Sequence, residues 1–150
     1  MNAFRFSLDK VLAWRRTELD LEEVKFKRQL AALADLDRER AALEAAGVRA
    51  EIDTRNFNPL AGGDLAGLAN FRLHVQVAEK RIASRRVECQ RQLAAQQSAM
   101  LEARRRCRLL ERLKERRHAE WQAACDRELE ELASESFLAQ FARRQRQRQG

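Results

Sequence analysis

The sequence predicts an all-α fold: a long antiparallel two-helix coiled coil (helical hairpin) whose second helix is longer than the first. Three observations carry that expectation. Residues 8 to 46 contain neither glycine nor proline, and residues 65 to 142 contain none apart from Gly67. The breakers gather instead in one segment, Asn56-Phe57-Asn58-Pro59-Leu60-Ala61-Gly62-Gly63-Asp64, with Gly47 and Gly67 to either side. Helix interiors tolerate proline and glycine least, at roughly 3 and 1 kcal/mol relative to alanine. Composition is the third observation. Tyrosine is absent, 35% of residues are charged and the mean hydropathy is -0.64, which leaves too little apolar material for a wide core but enough for a narrow seam.

The expected organisation is one coiled-coil domain over residues 1–150, with helix 1 over about 7–55, a turn over about 56–63, helix 2 over about 64–142 and a flexible Arg/Gln tail over 143–150. Ser7 is the expected cap of the first helix, with Asp9 at the positive end of its dipole and Phe6 stapled against Val11. From there Leu8, Leu12, Arg15, Leu19, Glu22, Phe26, Gln29, Leu33, Leu36, Arg40 and Leu43 follow alternating steps of four and three, a seam in heptad register with polar interruptions. Asp64 is the expected cap of the second helix. Its seam runs through Leu68, Phe71, Val75, Ala78, Ile82, Arg85 and Cys89, then drifts by one position through Leu93, Met100, Cys107, Leu110 and Trp121. A turn centred near residue 60 sets Leu8 opposite residues 111–114 and lets everything after about Arg117 project beyond the start of helix 1.

The residues that could carry chemistry do not assemble into a site. Cys89, Cys107 and Cys125 are 18 residues apart, so along one helix successive thiols are separated by roughly 27 Å, too far to share a metal or a disulfide. They read as small apolar residues in a reducing compartment. His74 and His118 have no cysteine or histidine at ligand spacing, and Gly62-Gly63 is a turn signal rather than a phosphate loop. No metal, cofactor or catalytic group is expected, which argues against an enzyme. No run of about 18 apolar residues exists to span a membrane, and the start of the chain leads into a charged helix, so a cytoplasmic protein is expected.

Charge is the remaining signal. Of 30 basic residues 25 are arginine, a bias toward bidentate contacts with carboxylates or phosphates. Arg104, Arg105, Arg106, Arg108, Arg112, Lys114, Arg116 and Arg117 form a basic band relieved only by Glu111 and Glu115. An acidic stretch follows at Asp126, Glu128, Glu130, Glu131 and Glu135, and Arg143, Arg144, Arg146 and Arg148 close the chain. A solvated helix face with local pairing accounts for most of these charges. The arginines have neither aromatic interleaving nor a nucleic-acid-binding fold, and the interleaved acids oppose a phosphate backbone, so nucleic acid is not the expected partner.

Three motifs carry a resemblance: Phe4-Arg-Phe-Ser-Leu8-Asp-Lys-Val-Leu12 with Arg15 or Arg16 and Glu18; Asn70-Phe71-x-x-x-Val75-x-x-Ala78-Glu79-Lys80-x-Ile82; and Leu110-Glu-Arg-Leu-Lys114-Glu-Arg-Arg117 followed by Trp121. In order, spacing and breaker position the chain resembles the flagellar FliJ family over nearly its whole length. The resemblance implies a soluble stalk component of the type III protein export apparatus, a monomer when free. Such a protein binds the hexameric flagellar export ATPase through the end carrying both termini, links it to the membrane export gate protein, and can escort export chaperones. It implies an ATPase-binding end at Phe4, Phe6, Leu8, Arg112, Lys114, Arg116 and Arg117, and an export-gate surface at Phe71, His74, Ala78, Arg81 and Arg85. Simple end packing competes for Phe4, Phe6 and Leu8, and a seam role competes for Ala78 and Arg85. An injectisome stalk and a structural coiled-coil scaffold without an ATPase partner are the alternatives.

Overall fold

The computed structural model describes residues 3–56 and 61–149. It is a helical hairpin of α1 (Asp9–Asn56, 48 residues) and α2 (Gly62–Gln149, 88 residues), with the second helix the longer as expected. Residues 57–60, the middle of the expected turn, lie outside the described residues. Contacts group the chain into two compact units, Glu18–Ala103 and Met1–Thr17 with Arg104–Gly150.

In the unit Glu18–Ala103 the helices pair antiparallel, as the cross-helix bonds read in order along α1. Glu22 is bonded by Gln96, Gln29 faces the Cys89 thiol at 3.8 Å, Asp37 accepts from Arg86 at 2.8 Å, Glu39 from Arg85 at 3.4 Å and Glu51 from Arg72 at 3.0 Å. Leu36, Ile82, Cys89, Met100 and Ala103 form its buried line. The seam of α2 is Phe71, Val75, Ala78, Ile82, Arg86, Cys89, Leu93, Gln96, Met100 and Ala103, all buried or half-buried. This corrects the expected register at two points. Arg85 and Arg40 were placed in the seam, yet both are exposed, with side chains 64% and 58% accessible. On α2 the cause is a step of four from Ile82 to Arg86 where a step of three was expected, which puts Arg86 rather than Arg85 at the seam. Arg86 takes the seam edge because its methylene stem covers apolar surface while its guanidinium reaches Asp37.

In the unit Met1–Thr17 with Arg104–Gly150, Leu12 is 1% exposed and Phe6 and Cys107 are also buried. α1 starts at Asp9 rather than Ser7. The Asp9 amide donates to the Phe6 carbonyl at 3.2 Å and the Leu12 amide to the Leu8 carbonyl at 2.8 Å, which closes a turn over Ser7 and Leu8. Of the expected staple pair, Phe6 belongs to the core whereas Val11 is 41% exposed.

The start of α2 also differs from expectation. Asp64 is not the cap residue. It stands third in the helix, and its carboxylate reaches back to accept the Ala61 amide at 3.2 Å, half of a capping box, because Gly62 and Gly63 bring no side chain of their own. At the other end the helix continues to Gln149 through the segment expected to be a flexible tail. Arginine and glutamine are good helix formers, and Arg146 and Arg148 in the last turn complement the dipole.

Candidate functional site

The start of the chain and the middle of α2 meet through aromatic rings. Phe4 sits edge-on to His118, with centroids 5.0 Å apart and planes at 87°, and lies 5.8 Å from the Trp121 ring. His118 and Trp121 are themselves 5.6 Å apart. Edge-to-face and tilted rings at these separations place the positive edge of one ring near the negative face of the next. Below this cluster Lys114 Nζ holds Asp9 Oδ1 at 2.7 Å, and Arg16 Nη2 holds Glu111 Oε1 at 3.1 Å. All four side chains are at least a third exposed, so each pair adds at most about 1 kcal/mol and serves register more than stability. An open groove of about 670 Å³ lies among these residues, lined by Phe4, Leu12, Arg16, Glu111, Lys114, Glu115 and His118.

Of the expected ATPase-binding residues, Phe4 and Lys114 both line this groove. Phe6 is buried, Phe4 and Leu8 are half-buried, and Lys114 is spent on Asp9. Arg117 pairs with Glu120 within the helix at 3.2 Å. Arg112 and Arg116 are exposed and make no hydrogen bond or ion pair among the described residues, which leaves their guanidinium groups free for a partner. Sequence reasoning missed His118 as the residue that carries the ring cluster. Its signal was the three-residue step to Trp121, which puts both rings on one helix face.

Cys107, beside this cluster, is buried and within 3.8 Å of Glu111 Oε1. Burial first, and the Glu111 charge second, push its thiol above the usual range, the opposite of what a reactive thiolate requires. Among the described residues no group of three or more His, Cys, Asp or Glu side chains is placed to hold a metal, and no helix is long and apolar enough to cross a membrane.

The second expected surface lies in the other unit. Phe71 and Ala78 are half-buried in the seam, whereas His74, Arg81 and Arg85 are exposed, so the five do not form one face. Arg85 is paired with Glu39. What α2 presents to solvent there is a row that sequence reasoning passed over. Leu73, Val77 and Val87 are 61%, 47% and 67% exposed, with Lys80 and Ser84 at the intervening steps of three and four. The alternation was legible, but the seam claimed the apolar residues first.

Fold and surface together define a helical-hairpin coiled coil with an aromatic-stapled, arginine-flanked unit. No family model, no curated protein and no solved structure matches the chain.

Proposed function

We propose that the chain is a stalk component of the flagellar type III protein export apparatus that binds the hexameric export ATPase and links it to the membrane export gate. The observation that carries this reading is the packing of residues 4–12 against residues 107–121. These are two of the three stretches in which the resemblance to the FliJ family resides, and they lie far apart in the sequence. Phe4, Phe6, Leu8 and Lys114 fix the shape of the inserted element, while the free guanidinium groups of Arg112 and Arg116 supply contacts to acidic loops lining the ATPase pore. Arg117 is the reserve cation, released if Glu120 is drawn elsewhere.

For the gate, the exposed row Leu73, Val77 and Val87 with Arg81 beside it offers the apolar contact that Phe71 and Ala78, held in the seam, do not. The protein acts in the cytoplasm, peripheral to the inner membrane through the apparatus, without a cofactor and without catalysis of its own. The same reading covers an injectisome stalk, and the identity of the ATPase that responds decides between the two systems.

The test mixes the chain with the export ATPase of its organism at low salt and measures ATP hydrolysis and hexamer formation. Binding with stimulation of both is expected; absence of both binding and stimulation sinks the proposal.

A further inference from the structure

Beyond Cys125 every side chain of α2 described to residue 148 is exposed, and no segment of the described chain covers it. Yet that stretch is not simply polar. Leu129, Leu132, Phe137, Leu138 and Phe141 are 48% to 68% exposed. One face of it has an ordered composition. Asp126 and Glu130 come first, Ala133, Phe137 and Phe141 follow, and Arg144 and Arg148 end it. The steps between them are four, three and four up to Phe137, and four, three and four again after it. The row therefore consists of two 11-residue repeats, the spacing that keeps one stripe on one face of a nearly straight helix. Among the described residues none of the four charged members makes an ion pair.

A row with this symmetry is complementary to itself when reversed. We propose that the face from Asp126 to Arg148 pairs antiparallel with the same face of a second copy of this chain. With Phe137 on the two-fold axis, Asp126 of one copy faces Arg148 of the other, Glu130 faces Arg144, and the small Ala133 receives Phe141. The two Phe137 rings meet at the centre. Glu128 and Arg146, and Glu131 and Arg143, fall level with one another in the same register and add favourable potential around the contact. Parallel pairing is excluded by the same charges, since it sets acid against acid and arginine against arginine. The contact runs along roughly 33 Å of helix, short for a permanent interface, so the dimer is weak and concentration-dependent. Free chain is thus a reversible dimer at high concentration, not the strict monomer that the family resemblance implies. The inference does not rest on the export reading, because no ATPase enters it.

Sedimentation of the full chain from about 1 to about 500 µM tests it, with circular dichroism confirming that each variant keeps its helix content. Wild type shifts from monomer to dimer, and the shift weakens with added salt. Glu130→Arg and Arg144→Glu each weaken association about tenfold, because each converts two attractive pairs per dimer into repulsive ones. Mixing the two single variants restores it, as does combining both changes in one chain, since either arrangement sets opposite charges face to face again. Phe137→Asp abolishes it. A chain that stays monomeric across the range overturns the proposal, as does association that the charge reversals leave unchanged or that the mixture fails to restore.

Discussion

Two stretches of the same helix, residues 104–121 and 126–148, have opposite fates. The first lies against the start of the chain and turns part of its apolar surface and several of its charges there: Cys107 is buried, Lys114 holds Asp9 and His118 holds Phe4. The second has equally large side chains in Leu129, Phe137 and Phe141, but all of them face solvent. The first has the start of the chain packed beside it, and the second has no segment of the described chain beside it. Apolar residues that meet a partner become core, and those that do not become a surface waiting for one.

Substitutions should divide accordingly. The largest effect on stability is expected from Leu12→Ala, which empties the most buried side chain of the paired stretch. A loss of about 2–5 kcal/mol in chemical denaturation is expected, against less than about 0.5 kcal/mol for Phe137→Ala in dilute, monomeric chain. Equal effects at the two positions would erase the distinction. Phe4→Ala should cost less than Leu12→Ala, about 1–3 kcal/mol, and should quench the difference in tryptophan emission between folded and unfolded chain as Trp121 loses its ring neighbour. Smaller still, Lys114→Gln should cost under about 1 kcal/mol, since the Lys114–Asp9 pair is exposed; a larger loss would make that pair structural rather than a register mark.

The cysteines sharpen the comparison without any change of fold. Cys107 in the paired stretch has its thiol pushed upward, whereas Cys125, just before the uncovered stretch, is half-buried. A thiol whose folded pKa exceeds its unfolded value contributes stability below the unfolded value and loses it as pH rises through the folded one. Alkylation by a small maleimide near neutral pH should therefore modify Cys125 first and Cys107 slowest, with Cys107 catching up only in alkaline solution. Modification of Cys107 at the rate of Cys125 would contradict its burial.

Much of this was legible in the sequence because helices of this kind write their seams as steps of three and four. Leu12, Leu36, Ile82, Cys89, Met100 and Cys107 were read correctly as seam residues, and all are buried. Counting heptads puts Arg85 in the seam because it does not reveal where the step of four falls; the half-burial of Arg86 and its pairing with Asp37 locate it. Asp64 was read as a cap because aspartate favours both the cap and the third position, and two glycines before it disguise which it occupies. The chain beyond residue 142 reads as tail by its Arg/Gln composition, yet no breaker interrupts it before Gly150, and arginine and glutamine simply prolong the helix. At the candidate site, Arg112 and Arg116 enter through the resemblance to the FliJ family, while His118 and the row Leu73, Val77 and Val87 need the register to show which face each occupies.

The stalk reading is tested most directly by titrating the export ATPase with wild-type chain and with the double variant Arg112→Glu/Arg116→Glu while following ATP hydrolysis. Wild type should stimulate hydrolysis in a salt-sensitive manner. The double variant should lose most of that stimulation while its thermal unfolding stays within a few degrees of wild type, because neither arginine is paired among the described residues. Stimulation that is unchanged by the double variant, or absent for wild type at low salt, would contradict the assignment of that arginine-flanked surface to the ATPase.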